Sequence, residues 1–369
     1  MPRRFQGEAN LQTLTALGLM SGTSMDGIDA ALLTTDGDRI MAFGAARTLD
    51  YDAAFGGRLS RAVMHHEADD ALVRELTERH AEAVLGLVQS AGVTPDVIGF
   101  HGQTILHDPD NRRTVQIGDG ALLAKLTGIP VVCDFRSADV AAGGQGAPFV
   151  PIYHRALAFD EPKPIALLNI GGVANVTWVG PASDGATGDG LLAFDTGPGI
   201  ALIDDWVRKT TGGRWDEGGK LAASGKIDAA RLAGLLDHPF FDQAPPKSLD
   251  RNSFKTEFHL NGSAPEDGAA TLARFTAECV LRASRHFKAA PSRWVACGGG
   301  RRNDYLLETL RAVLDVPVVR AEDMGWDGDA LEAQAFAYLA VRHMAGLPLS
   351  FPSTTGVPRP MTGGTLFRP

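Results

Sequence analysis

One plan of secondary structure occurs in both halves of the chain, and it restricts the fold more than any other feature. Near the N-terminus, an apolar run from Leu14 leads into the polar turn Ser21–Gly27, after which apolar residues resume. From Ile165 an apolar run reaches the turn Gly171–Gly172 and then continues. Short apolar runs bounded by glycine predict paired strands. The distance between the two copies is far longer than a solenoid repeat, so we expect two related lobes.

Predicted helices and strands alternate between these turns, which is typical of an α/β protein. Apolar residues at helical spacing predict one helix over Val63–Ser90, which ends at Gly92. The other elements predicted in this half are strands at Val97–Phe100, Thr114–Ile117 and Ile129–Phe135, and a helix over Gly120–Thr127.

The second half repeats the alternation. A strand at Leu191–Phe194 leads into the turn Asp195–Gly199, and the polar segment 180–190 before it predicts an exposed hairpin loop. The last helix is predicted over Ala330–Ala345. Asp329 is its candidate N-cap, and Glu332 lies at the spacing of a capping box.

Length and composition exclude several classes of protein. A chain of 369 residues predicts two domains, and 44% hydrophobic with 21% charged residues is ordinary for a globular protein. The formal net charge of −9 disfavours nucleic acid and anionic membranes as partners. Three cysteines without a C-x-x-C spacing predict neither a disulfide framework nor a zinc site. The apolar stretch Leu14–Met20 is too short to span a bilayer, and we expect a cytoplasmic protein.

Four glycine-containing turns follow apolar strands, at Ser21–Gly27, Gly171–Gly172, Asp195–Gly199 and Gly298–Gly300. Glycine lets backbone N–H groups approach phosphate oxygens closely, although each turn alone is more typical of a simple tight turn. The sequence has no G-x-x-x-x-G-K-[ST] loop, no G-x-G-x-x-G opening a helix, and no protein-kinase signature. We therefore expect any nucleotide to bind between two lobes through paired hairpins.

A set of short segments, in a fixed order along the whole chain, resembles the anhydro-N-acetylmuramic acid kinase family. The segments are Gly22–Asp29, His101–Thr104, Cys133–Asp139, Gly144–Pro148, Asn169–Asn175 and Phe194–Gly199. The resemblance implies the two-lobed actin-like ATPase fold, which is α/β and contains a duplicated RNase H-like unit, with ATP and sugar in the cleft between the lobes. It implies an N-terminal lobe over residues 1–135 and a C-terminal lobe over 136–369, the tail of which could pack back on the first lobe.

The same resemblance implies the reaction. Members of the family use ATP and Mg²⁺, cleave the 1,6-anhydro ring of 1,6-anhydro-N-acetylmuramic acid with water, and phosphorylate O6. The products are N-acetylmuramic acid 6-phosphate and ADP, and the process belongs to peptidoglycan recycling. The implied partner is a small amino sugar, and the sequence leaves a homodimer open.

The resemblance also implies residue roles. Asp195 corresponds to the catalytic base and Asp26 is a candidate magnesium ligand. The implied ATP contacts are Gly22, Thr23, Ser24, Met25, Asp26, Gly27, Ile28, Asp29, Asn169, Gly171, Gly172, Asn175, Gly298, Gly299 and Gly300. The implied sugar contacts are His101, Gln103, Arg136, Asp139, Gly146, Pro148 and Glu332.

Each functional role has a structural alternative. Asp195 could form an Asx-turn or cap the helix after Gly199, and Asp26 could belong to an ordinary hairpin turn. Arg136 and Asp139 could pair with each other, and His101 could be a packed structural residue. Glu332 could complete the capping box described above.

Two segments depart from the family pattern, at Lys247–Asn252 and Gly325–Asp329, and these departures affect the expected sugar pocket. Three other functions stay open from the sequence. One is a kinase for a different sugar, and another is a nucleotide-gated sensor that turns over poorly. The third, a glycoside hydrolase using Asp195, does not account for the Gly22–Asp29 loop.

Overall fold

The computed structural model of the protein describes residues 11–22, 25–181, 183–249, 253–254 and 260–369. The chain forms two compact units. The first comprises the described residues within 1–159, 185–188 and 330–369, and the second comprises those within 160–184 and 189–329. The boundary predicted after residue 135 lies inside the first unit.

The first unit contains a mixed sheet. Its strands are β1 (Leu14–Met20), β2 (Gly27–Thr35), β3 (Ile40–Asp50), β4 (Val97–Phe100), β7 (Val131–Cys133) and β13 (Thr365–Phe367), with β5 (Gln103–Asp108) and β6 (Arg113–Ile117) forming a separate hairpin. The strand order is β13-β7-β4-β1-β2-β3. Strands β1 to β3 are antiparallel neighbours, whereas β4 runs parallel to β1 and β7 parallel to β4.

The sheet of the second unit repeats this arrangement. Its strands are β8 (Ile165–Ile170), β9 (Val173–Val179), β10 (Leu191–Pro198), β11 (Trp294–Cys297) and β12 (Val318–Arg320). The order β10-β9-β8-β11-β12 matches β3-β2-β1-β4-β7, and the directions of the strands match as well. A three-stranded antiparallel meander followed by two parallel strands is the RNase H-like plan. The predicted α/β fold of the actin-like ATPase class, with its duplication, is confirmed.

Helices pack on both sheets. They are α1 (Ala53–His65), α2 (Asp70–Ala91), α3 (Gly120–Thr127), α4 (Ser137–Ala141), α5 (Pro151–Leu157), α6 (Ala201–Thr211), α7 (Lys220–Ala223), α8 (Ala229–Leu236), α9 (Pro265–Ala283), α10 (Asp304–Val313) and α11 (Leu331–Met344). Short 3-10 helices cover Pro109–Asn111, Glu217–Gly219, Pro239–Asp242, Ser284–His286, Gly299–Arg302 and Ala321–Met324. No helix in the described ranges is long and apolar enough to cross a membrane.

The single helix predicted over Val63–Ser90 is wrong. His66 adopts a left-handed conformation (φ 57°) that ends α1, and Asp69 begins α2 by accepting a hydrogen bond from the Leu72 N–H. Neither His66 nor Asp69 breaks the apolar periodicity, which is why the pattern did not reveal the interruption.

The predicted cap of the last helix is also wrong. The carboxylate of Asp329 contacts the guanidinium groups of Arg301 and Arg302, at 3.0 and 2.5 Å. The N-cap of α11 is Ala330, which makes no side-chain hydrogen bond. Glu332 therefore belongs to no capping box, and its carboxylate is available for another role.

Two glycines allow α11 to lie directly on the first sheet. A Cβ on Gly18 of β1 would stand 1.7 Å from the Ala333 carbonyl oxygen, and one on Gly99 of β4 would stand 2.0 Å from that of Phe336. Because any larger residue would push the helix away, these glycines fix the position of α11 and of Glu332 at its start.

Segment 180–190, predicted to be an exposed hairpin loop, is partly buried. The fully buried guanidinium of Arg342 donates to the carbonyl oxygens of Gly185, Gly37 and Pro348 at 2.6–2.7 Å. Residues 185–188 accordingly belong to the first unit, although their sequence neighbours belong to the second. The composition of the loop gave no sign of this buried partner.

Candidate active site

Arg136 organises the residues that were predicted to contact the sugar in the first unit. Its Nε and Nη2 lie 3.2 and 3.0 Å from Nε2 of His101, and its Nη1 donates to the Gly146 carbonyl oxygen at 2.6 Å. Because guanidinium only donates, Nε2 of His101 is the acceptor, and Nδ1 carries the proton and donates to the Gly102 carbonyl at 2.8 Å. Burial, reinforced by the charge of Arg136, holds the pKa of His101 well below its usual range, so the ring is neutral.

Asp139 holds the loop Gly144–Pro148. Its Oδ1 accepts from the Gly146 N–H at 2.7 Å, and its Oδ2 accepts from the Thr355 hydroxyl at 2.6 Å. Arg136 and Asp139 thus bind the C=O and the N–H of the same residue, Gly146, instead of depending on each other. Burial lowers the pKa of Arg136 to about 10, against the opposing effects of Glu332 and Asp139, so Arg136 stays charged at neutral pH.

Gln103 is joined to the start of the first glycine-containing loop by buried hydrogen bonds. The Ser21 hydroxyl donates to Oε1 of Gln103 at 2.7 Å and lies 3.0 Å from the Tyr51 hydroxyl. The backbone N–H of Tyr51 also donates to the Asp26 carbonyl at 2.8 Å. Ser21 and Tyr51 were missed by the sequence analysis. Ser21 directly precedes the predicted loop, which was the available signal, whereas nothing in the sequence pointed to Tyr51.

The predicted ATP loop Gly22–Asp29 comprises the connection between β1 and β2 together with the first residues of β2. Thr23 and Ser24 lie outside the described residues. A Cβ on Gly27 would stand 2.8 Å from the Leu49 carbonyl oxygen, so glycine is required where β2 begins beside β3. The Asp29 carboxylate accepts from the Thr48 hydroxyl at 2.6 Å, and Met25 has a positive φ of 53°.

Glu332 lies within electrostatic reach of Asp29 and Arg136. The residue as a whole is exposed to solvent, but protein atoms crowd its carboxyl. The resulting loss of hydration raises the pKa of that carboxyl. The charge of Asp29 raises it further, and that of Arg136 opposes the rise. A raised pKa means that this carboxyl is protonated more readily than an ordinary glutamate.

Three glycine-containing turns of the second unit lie together at the end of β8. The N–H groups of Gly199 and Ile200 donate to the carbonyls of Gly172 and Gly171, each at 2.9 Å. A Cβ on Gly298 (φ 73°) would stand 2.3 Å from Oδ1 of Asn169. The structure thus brings together the predicted ATP contacts at Asn169–Asn175 and Gly298–Gly300, with the turn that follows Asp195.

Asp195 lies on β10, opposite Asn175 of β9, where the register shifts between Asp195 and Gly197. Its carboxylate accepts from the Leu249 N–H at 2.8 Å, and its own N–H donates to the Lys247 carbonyl at 3.0 Å. Ile200, and not Asp195, is the N-cap of α6. The capping alternative for Asp195 is therefore wrong, and no sequence pattern connected Asp195 with Lys247 or Leu249.

Burial raises the pKa of Asp195 to about 7, and the Leu249 N–H opposes this rise. A carboxylate with such a pKa accepts a proton near neutral pH far more effectively than an ordinary aspartate. Phe194 beside it contacts His286 in an edge-to-face arrangement, with ring centroids 5.4 Å apart.

Magnesium binding is compatible with the oxygen atoms of the first unit. Mg²⁺ binds through one or two carboxylates together with substrate phosphates, and Asp26 directly precedes β2 while Asp29 lies near its start. Within the part of the chain that is described, no group of three or more His, Cys, Asp or Glu is arranged as a metal cage. A magnesium ion bound mainly by phosphates does not need such a cage.

Comparison with known proteins identifies the family. Residues 14–369 match the model of the AnmK family, described as anhydro-N-acetylmuramic acid kinase. The chain belongs to this family. It is 56% identical over 358 residues to the anhydro-N-acetylmuramic acid kinase of Rhodospirillum rubrum, covering 95% of this chain and 94% of that protein. It is 51% identical over 366 residues to the enzyme of the same name from Acidiphilium cryptum, covering 96% of this chain and 98% of that protein.

The solved structure of gluconate kinase from Lactobacillus acidophilus is also similar, with 9% identity and a TM-score of 0.48 over 97% of this chain and 94% of that one. The fold assignment rests on the strand order described above. The predictions of the family and of a kinase are confirmed by the match to the anhydro-N-acetylmuramic acid kinases. The roles of the individual residues stay predictions.

Proposed function

We propose that the protein is an ATP-dependent kinase that opens the ring of 1,6-anhydro-N-acetylmuramic acid with water and phosphorylates O6. The observation that carries the proposal is Asp195, a strand-borne carboxyl with a pKa of about 7 that is fixed by backbone hydrogen bonds. Relatives with more than half of their residues identical carry the corresponding name. The products would be N-acetylmuramic acid 6-phosphate and ADP, in the cytoplasmic recycling of peptidoglycan.

The chemistry assigns one proton acceptor. The Asp195 carboxylate takes a proton from water as the water oxygen bonds to C1 of the sugar. The C1–O6 bond breaks, and its electron pair stays on O6. O6 attacks the γ-phosphorus of ATP, and the bond from that phosphorus to the bridging oxygen of ADP breaks. The reaction consumes one water and one ATP and releases the proton to Asp195.

Residues of the first unit fit the recognition of an acidic amino sugar. Arg136 stays charged at neutral pH and is held at two points, so it can bind the lactyl carboxylate of the sugar. Gln103 would offer its amide N–H to a hydroxyl or acetamido group, and the loop at Gly146 and Pro148 would line the pocket. Neutral His101 would act by orienting Arg136, because both its ring nitrogens are hydrogen-bonded within the protein. Asp139 would act by holding that loop, since both its oxygens accept from protein groups.

The proposed ATP contacts are glycine-containing turns, because their backbone N–H groups can approach phosphate oxygens. The contacts are those predicted at Gly22–Asp29, Asn169–Asn175 and Gly298–Gly300. Magnesium, when bound, would neutralise phosphate charge, with Asp26 as the candidate ligand.

The test is a product analysis in ¹⁸O-labelled water with the anhydro-sugar, ATP and Mg²⁺. We expect a phosphorylated muramic acid that carries one ¹⁸O at C1, with one ADP formed for each product. Unlabelled phosphorylated product would indicate a kinase that acts on an ordinary hydroxyl of another sugar. Ring opening without ATP would indicate a hydrolase, and either result would contradict the proposal.

A further inference from the structure

The segment Lys247–Leu249 runs along the outer side of β10 and holds Asp195 from two directions. The Lys247 carbonyl accepts from the Asp195 N–H at 3.0 Å, and the Leu249 N–H donates to the Asp195 carboxylate at 2.8 Å. Both bonds use backbone atoms, so the carboxylate is oriented only while this segment keeps its position beside the strand.

Lys247 anchors that segment to the protein. Its side chain is 8% exposed, and its ammonium donates to the Phe240 carbonyl at 3.0 Å. The same ammonium lies 4.4 Å from the centroid of the Phe240 ring and 6.0 Å from that of Phe194. Lysine is rarely buried to this degree because its charge must leave water.

We propose that Lys247 is a positioning residue for the catalytic carboxylate: by anchoring on the Phe240 carbonyl and ring, it keeps the Leu249 N–H aimed at Asp195. The inference rests on the function proposed above and adds a residue to it. When the anchor is lost, the segment moves, the hydrogen bond to the carboxylate weakens, and the proton acceptor loses its alignment with water.

The ionisable groups around Asp195 determine the sign of the effect. Lys247 is the cation on the adjacent segment, His286 contacts Phe194 from the end of α9, and Cys279 of α9 packs against Gly197. Asp242 lies near Lys247. The Leu249 N–H lowers the pKa of Asp195 against the effect of burial, so losing that bond raises it further. Losing the lysine charge would act in the same direction.

The test compares Lys247→Met with wild-type protein and with Lys288→Met, which removes an exposed lysine of the same unit. Methionine keeps the length of the side chain but removes its charge and donor. We expect kcat to fall by about tenfold or more, while KM for ATP stays within about twofold because the phosphate turns are untouched. The acid limb of the pH profile, where kcat/KM falls as pH decreases, should move to higher pH by about one unit. A shift of this size is expected for a lost hydrogen bond to a carboxylate. Lys288→Met should match wild type.

Phe240→Leu provides a second variant, which keeps Lys247 but removes the ring below its ammonium. We expect the same direction of shift with a smaller size. A wild-type pH dependence in folded Lys247→Met would overturn the inference, since a purely structural loss changes the amount of active protein and not its pH dependence. Asp195→Asn separates the two hypotheses. If this variant retains turnover, the proposed function fails. If it loses turnover while Lys247→Met keeps the wild-type pH dependence, only the role of Lys247 is removed.

Discussion

Strands β3 and β10 occupy the same place in the two sheets, yet they have different surroundings. Each is the third strand of its meander and is interrupted by a register shift. The register places Thr48 of β3 opposite Asp29 and places Asp195 of β10 opposite Asn175. β3 is exposed over most of its length, whereas β10 is largely buried and is flanked by Lys247–Leu249. The two sheets thus offer equivalent positions near a glycine-containing turn, and only β10 has a carboxyl there, with a pKa that burial raises to about 7.

This difference predicts a large asymmetry between the two positions. Asp195→Asn should lower kcat by about 10²–10⁴-fold, because asparagine keeps the shape and the bond from Leu249 but cannot accept a proton. Binding of ATP and of the sugar should be retained, as measured by calorimetry. Thr48→Val is the matched change on β3, and it should lower kcat far less than Asp195→Asn because it removes no proton acceptor. An active Asp195→Asn variant would show that the burial of β10 has no catalytic meaning.

The next largest expected effect is a loss of stability at acidic pH that is greater in the first unit than in the second. His80 and His154 are buried in the first unit, and burial lowers their pKa values to about 4 and about 3. As pH falls below 6.5, the unfolded chain binds protons that these histidines in the folded state cannot, so the free energy of unfolding decreases. His80 alone should cost about 3 kcal/mol between pH 6.5 and 4.

Two probes can follow the units separately. All five tryptophans (Trp178, Trp206, Trp215, Trp294 and Trp326) lie in the second unit, so their fluorescence reports on that unit. Hydrogen exchange in α2, corrected for the intrinsic effect of pH, reports on the first. Protection in α2 should fall more than protection in β8 as pH goes from 7 to 5. His80→Leu should reduce the loss, and equal loss in both segments would contradict the role of the buried histidines.

The smallest effect is a pH dependence that assigns the carboxyl groups. With a pKa of about 7, Asp195 is ionised above that pH, so kcat/KM should reach a plateau above pH 7 and fall by about tenfold per unit below it. Burial and Asp29 also raise the pKa of Glu332, in the first unit. Glu332→Gln should keep the acid limb if Asp195 is the titrating base. If the fall of kcat/KM at low pH disappears in Glu332→Gln, the proton acceptor is Glu332 on α11 and not Asp195 on β10.

Much of the fold could be predicted because local patterns agree with it. The apolar runs and glycine turns located β4, β8 and α3 at their observed bounds, and the repetition of that pattern predicted the duplication. The predictions failed where a distant contact overrides composition. Glycine, serine and aspartate in segment 180–190 predicted an exposed loop, whereas Arg342, far along the chain, takes the Gly185 carbonyl into the interior.

The sequence by itself determined the kinds of groups available: a carboxylate at a strand end, glycine-containing turns, and the ordered segments that identify the family. Only the tertiary structure decided which groups interact. The two carboxylate oxygens of Asp139 accept hydrogen bonds from the Gly146 N–H and the Thr355 hydroxyl. Burial raises the pKa of Asp195 to about 7, and its carboxylate accepts from the N–H of Leu249, a residue that no sequence pattern connected with it. The physical reason is that residue type sets the chemistry of a group, whereas its pKa and orientation depend on burial and on hydrogen bonds from residues distant in sequence.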